Sequence, residues 1–282
     1  MIPTNEGRKD ARGLPVSVCL PESMDDYETA LYQFQSYFGD PTEVLATTLE
    51  NDPEFVMGHV FNASAMLMMS ERQYLPAIRE SVEAAEALSS KANDREKQMM
   101  LAARQWMEGD WIRAGQTWDR VLAEHPTDAL AIQCGHLTDF YTGDATNLRD
   151  RIGRVIGRWD KSLPGYSYVL GMQAFGFEES NQFARAEETG REALAMEPRD
   201  GWTVHAIAHV MEMENRYEEG QRFLAERVAD WAPDNGFAFH NWWHLALYHI
   251  EQEDFAGALG LYDQQILPAP SDVSLQLLDA SA

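Results

Sequence analysis

From about Asp25 onward, apolar residues fall at three-and-four spacing, and short clusters of Gly, Asp, Asn and Pro interrupt them. That period predicts helices separated by tight turns. The interruptions recur at a fixed stride. Gly109-Asp110-Trp111-Ile112-Arg113-Ala114 leads through Trp118 to Pro126, Gln182-Phe183-Ala184-Arg185-Ala186 through Ala193 to Pro198, and Asp254-Phe255-Ala256-Gly257-Ala258 through Tyr262 to Pro270. Ala114, Ala186 and Ala258 are each 72 residues apart. Weaker anchors lie between them at Phe38 to Pro41, Gln73 to Ala77, Gly143-Asp144 and Arg216 to Gly220. The chain therefore divides into about seven units of 33–38 residues, each a helix A, a turn and a helix B. A long fixed period is the mark of a solenoid, and an aromatic near the turn, Ala in helix B and Pro ending it match the tetratricopeptide pattern. The expected fold is all-α, a right-handed α-α superhelix of about seven helical hairpins.

One such hairpin cannot bury its apolar face alone. Alanines at 114, 186 and 258 let helix B approach helix A closely, and Trp118 and Tyr262 fill the gap one turn later. The prolines cannot continue helix B and stop it. Before the repeats, Pro3, Pro15 and Pro21 surround the apolar run Val16 to Leu20, which predicts an extended arm over 1–22 lying on the first helices. The repeats are expected over 23–270. Ser271 to Ala282 has an N-cap-like start and an apolar stripe, as a capping helix or the start of a further repeat would.

Charge narrows the partners. The 46 acidic side chains outweigh 22 basic ones, for a formal charge of −24. Such a surface repels phosphate backbones and anionic membranes, and attracts basic peptides or cations. Solubility alone also explains it. Only Cys19 and Cys134 occur, which is no disulfide framework. The first residues form no apolar leader, and no run approaches 18 apolar residues. A cytoplasmic protein is expected, with no nucleic acid and no membrane as partner.

Candidate chemistry gathers in two segments. Five of the eight histidines fall within Asp200 to Glu212 and His240 to His249. His205 and His209 are four apart, with Glu212 one turn on; His240 and His244 repeat the spacing. Both segments are helix A of consecutive units, so they lie side by side. Counting back from the helix B alanines puts all four histidines and Glu212 on the groove side. The same count adds Tyr168, Phe175 and Glu178 from the unit before and His136 from the one before that, while His249 falls on a core position. Asn241 and Trp243 lie within the second segment.

Three readings stay open. In the first, the histidines are satisfied core groups packed beside Trp202, Trp242 and Trp243. In the second, they line a His/Trp/Glu concave pocket that binds a small molecule or peptide. In the third, His205, His209, His240 and His244 hold a divalent metal, zinc or iron, and serve an enzyme. The run HAIAH lacks the glutamate of the HExxH metalloprotease helix. No phosphate-cradling glycine loop, nucleophile elbow or CxxC pair is present.

Gly171 to Glu179, Trp202 to Glu212, HNWWH at 240–244 and Leu261 to Pro268 together resemble the tetratricopeptide repeat protein 38 family. The resemblance covers most of the chain, and neither HNWWH nor GFEE is demanded by an ordinary tetratricopeptide repeat. It implies a cytosolic helical-repeat fold. It also implies that this chain is the N-terminal part of a longer family member.

Overall fold

The computed structural model describes residues 8–17 and 20–282. Met1–Gly7, Val18 and Cys19, which belong to the expected arm, lie outside the described residues. Nearly everything else that is regular is helix. Helices pair in sequence as α1 (Pro21–Ser36) with α2 (Pro41–Asn51), α3 (Val56–Met68) with α4 (Leu75–Ala87), and α5 (Asp94–Met107) with α6 (Trp111–Glu124). Then come α7 (Ala129–Thr142) with α8 (Ala145–Val155), α9 (Tyr166–Glu178) with α10 (Phe183–Met196), and α11 (Gly201–Met213) with α12 (Tyr217–Glu226). A short α13 (Val228–Trp231) precedes the seventh pair, α14 (Ala238–Glu251) with α15 (Phe255–Leu261), and α16 (Ser274–Ser281) follows. The fold is an all-α helical repeat.

The 72-residue stride has a backbone cause. Each A-to-B turn reverses the chain through one residue in the left-handed region. Tyr37, Gly109, Asn181 and Glu253 do so at φ of 62, 85, 58 and 60°, and Ser70, Gly143 and Asn215 serve the hairpins between. Tyr37, Gly109, Asn181 and Glu253 are each 72 residues apart. Glycine and asparagine tolerate this conformation best, which explains their clustering at the breaks. The aspartates beside them are caps: Asp110, Asp128, Asp144, Asp200 and Asp254 each accept a hydrogen bond from a backbone N–H in the first turn of the following helix. α6 and α10 end two residues before Pro126 and Pro198. Ala114, Ala186, Ala258 and Trp118 are all buried, as close A–B contacts require.

Two compact units make up the chain, Met1–Gln35 with Asp40–Tyr166, and Ser36–Gly39 with Ser167–Ala282. In the first, β1 (Arg8–Lys9) and β2 (Pro15–Val16) form a small antiparallel hairpin. Arg95 of α5 ties it down by donating to Asp128 Oδ2 at 2.6 Å and to the Pro15 carbonyl at 2.9 Å. Deeper in α6–α8, the buried Arg151 donates to both oxygens of Asp139 at 2.6 and 2.8 Å and to Asp119 at 2.7 Å. Gly135 makes room for it: a Cβ there would lie 2.7 Å from Arg151 Cδ.

In the second unit, Leu194, Val204, Ile207, Met211, Leu224, Trp231 and Tyr248 form a core between α10, α11, α12 and α14. Tyr248 donates to the Ala208 carbonyl at 2.5 Å and passes over Gly220, where a Cβ would sit 2.2 Å from its ring. Tyr37 stacks on Trp202, ring centroids 6.1 Å apart, which is why Ser36–Gly39 belong to this unit.

Candidate metal centre

α11 and α14 present the two histidine pairs. Asp200 caps α11, accepting from Thr203 N at 3.0 Å, and fixes where the helix begins. Asn241 donates to the Gly201 carbonyl at 3.1 Å from within α14 and sets the register between the two helices. Four-residue spacing then stacks His205 over His209 and His240 over His244 on facing sides. The four Nε2 atoms meet. His205 to His240 is 3.1 Å, His240 to His244 3.2 Å, and His244 to His209 3.1 Å. One nitrogen from each of the four rings lies within 4.8 Å of the others. Four nitrogens around a tetrahedral ion at 2.0–2.1 Å would be about 3.3–3.4 Å apart. The three short contacts come within about 0.3 Å of that spacing.

The outer nitrogens face carboxylates. His240 Nδ1 is 2.8 Å from Asp279 Oδ2 on α16, His244 Nδ1 is 3.4 Å from Glu212 Oε2, and His209 Nδ1 is 3.4 Å from Glu178 Oε2. His205 Nδ1 is buried with no hydrogen-bond partner among the described residues. Aromatic rings wall the cluster. Phe175 lies 5.3 Å from His205 and 5.9 Å from His209, and Trp243 stacks on His240 at 5.3 Å and 25°.

A neutral imidazole carries one proton. With the His240 proton on Nδ1 toward Asp279, His240 Nε2 can accept from His205, and His244 can donate from its Nε2 to His209. The third contact, His240 to His244, then has no hydrogen bond of its own, and the His244 Nδ1 lone pair faces Glu212. Burial, and then the neighbouring histidines, hold His205 and His244 well below the usual imidazole pKa. Burial raises Glu212, and burial followed by Glu178 raises Glu179.

Several sequence-predicted positions fall elsewhere. His136 is buried in α7 of the first unit, where burial and then Arg151 push its pKa down to about 3; it is a core residue and does not line a groove. Tyr168 is buried on α9, two turns before Phe175. Asn241 serves packing. His249, expected in the core, is half-buried and bonds Asp254 Oδ2 at 2.7 Å, and its neighbour Tyr248 fills the core instead. Cys134 is buried, and burial pushes its thiol far up, so it is inert. The sequence reading missed Asp279. The only signal was an acid inside the apolar stripe of SDVSLQLLDASA.

No family model matches the chain. Solved structures do resemble it. A tetratricopeptide repeat protein from Parabacteroides merdae ATCC 43184 matches at a TM-score of 0.56 and 12% identity, over 93% of this chain and 96% of its own. A thermophilic TPR protein of Thermus thermophilus matches at 0.52 and 16%, over 66% of this chain and 97% of its own. The chain has a TPR-like helical-repeat fold. Among the described residues, no helix is long and apolar enough to cross a membrane.

Proposed function

We propose that the second unit of this repeat protein binds one divalent transition-metal ion, zinc foremost, through the Nε2 atoms of His205, His209, His240 and His244. The observation that carries this is the chain of three Nε2 contacts at 3.1–3.2 Å, close to the spacing of ligands around a tetrahedral ion, of which neutral tautomers can make at most two into separate hydrogen bonds. A cation at the centre satisfies all four lone pairs at once. The Nδ1–carboxylate contacts of His240 and His244 support the same reading, because metal-bound histidines donate their other N–H to such groups. An all-imidazole donor set suits Zn, Cu, Ni or Fe, and zinc accepts tetrahedral geometry without penalty. Four protein ligands is the count of closed, structural zinc sites, so a metal-binding role is favoured over the enzymatic one. Elemental analysis of untagged protein after dialysis against zinc should give one ion per chain, and none in His205→Ala/His244→Ala. Wild type with well under one ion would remove the proposal.

A peptide partner on the repeats is a second reading, favoured by Phe255 and Leu259, exposed by 64% and 61% one turn apart on α15. The formal charge of −24 favours a basic peptide. Titration with a lysine-rich peptide that shows no salt-sensitive binding would remove it. We also keep, as proposals, the cytoplasmic location and the arm, repeat and further-repeat division at 22 and 270. Membership of the tetratricopeptide repeat protein 38 family is likewise proposed. An alignment of that family lacking the four histidines would count against both the membership and the metal.

A further inference from the structure

α16 is built the wrong way round for a helix held by the hydrophobic effect. Its buried residue is Asp279, 8% exposed, while Leu277 and Leu278 are 44% and 64% exposed. A docked amphipathic helix buries leucine and exposes aspartate. The other ties of α16 are slight. Gln276 donates to the Ile266 carbonyl at 2.6 Å, and Ala280 rests against the Ala246, Ala258 and Ile266 cluster. The contact that explains a buried carboxylate is the one from His240 Nδ1 to Asp279 Oδ2, 2.8 Å. On the far side of the same ring, His240 Nε2 touches His205 and His244.

We infer that α16 is an outer part of the metal centre: Asp279 is a positioning residue for His240, and docking of α16 and binding of the ion are one linked equilibrium. The inference rests on the four-histidine reading above. An ion on Nε2 confines the ring's proton to Nδ1 and makes that N–H a stronger donor, so the bond to a buried carboxylate tightens. Without the ion the same N–H is an ordinary neutral imidazole donor, and the bond that holds the buried carboxylate is weaker. Linkage runs both ways: if the ion favours the docked helix, the docked helix favours the ion by the same factor.

Two measurements on the intact chain test this. The first is hydrogen exchange of the segment 271–282 with and without saturating zinc. The second is zinc affinity by competition with a chromophoric chelator, for wild type, Asp279→Ala, Asp279→Asn and Leu278→Ala. Zinc should slow exchange across α16 at least about tenfold in wild type and leave it unchanged in Asp279→Ala. Affinity should fall about 10–100-fold in Asp279→Ala, the usual loss for an outer-sphere partner of a ligating histidine. Asp279→Asn keeps an acceptor and should lose less. Leu278→Ala should bind as wild type, since its side chain points to solvent. Circular dichroism of each variant establishes that the repeats are folded. Wild type that binds one zinc while α16 exchanges equally fast with and without it overturns the linkage and leaves the four-histidine site standing. So does Asp279→Ala binding as tightly as wild type. Wild type that binds no zinc overturns both.

Discussion

Each unit hides polar side chains between its helices, and the two handle them in opposite ways. In the first, Arg151 brings its own counter-ions: Asp139 and Asp119 accept from it, and the Gly115 carbonyl takes a further N–H at 3.1 Å. Asp128 does the same for Arg95. The chain closes the Arg151 network within itself, so it specifies packing and needs nothing from solution. In the second, four imidazoles turn their Nε2 atoms toward one another, and the carboxylates stand outside the ring of histidines. Protons on these rings can make at most two of the three Nε2 contacts into separate hydrogen bonds. A buried polar network that the chain completes specifies packing; four ring nitrogens that converge on one point supply the donor set of the ion proposed above.

The comparison breaks most visibly when one partner of a closed network is removed. Arg151→Met should strand Asp139 in the interior and cost about 3–5 kcal/mol. Denaturant melts measure it, and a loss under about 1 kcal/mol would place Arg151 among solvated groups instead. The open cluster should respond to an addition. Zinc at about a thousandfold over its dissociation constant should stabilise the second unit by about 4 kcal/mol, and His244→Ala should abolish the gain. Thermal melts with and without zinc decide it. Equal gains in the variant would move the ion elsewhere.

Repeat packing sets the next effect. Ala186 is buried with Phe177 and Val210, so Ala186→Leu should overpack α10 and cost about 1–3 kcal/mol. A melt matching wild type would mean that the A–B contact has slack.

Acid should act on the metal-free protein with a definite sign. His205 and His244 have folded pKa values far below the unfolded value of about 6.5. Above that pH both states are neutral there and the full stability is present. As pH falls below it, the unfolded chain takes up protons that the fold refuses. Stability should then drop by up to about 1.4 kcal/mol per pH unit for each group, starting near pH 6.5. A flat profile between about pH 7 and 5 in chelator would contradict this.

The smallest effect separates site from scaffold. His209 is 25% exposed along its side chain and crowds His244, so His209→Ala in the metal-free protein should change stability by only about 0.5 kcal/mol, while its zinc affinity collapses. A large loss of stability without metal would make His209 a packing residue.

Local rules carry the repeat, which is why it was legible in the sequence. A left-handed turn residue in each hairpin, an aspartate cap on many helices and a close-packed alanine every 72 residues leave the mark, and it survives the variation between neighbours. Two histidine pairs at four-residue spacing on consecutive A helices were legible for the same reason: helix period and repeat order alone bring them together. Where the count rested on interpolation it failed. α8 has no small residue matching Ala114 or Ala186 to anchor the register, and His136, placed in the groove, turned out to face Arg151 in the core. Long-range pairs such as Arg95 with Asp128, or His240 with Asp279 thirty-nine residues on, obey no period, so nothing local announces them. The direction each ring nitrogen faces is likewise set by packing. It is this direction, more than the presence of four histidines, that distinguishes an ion site from a satisfied core.

X-ray absorption at the zinc edge, on protein loaded with one equivalent of zinc, reads the centre directly. The account predicts a first shell of four imidazole nitrogens at about 2.0–2.1 Å, with the outer-ring scattering that imidazole gives. An oxygen-dominated shell, or two or fewer imidazoles on the ion, would contradict it.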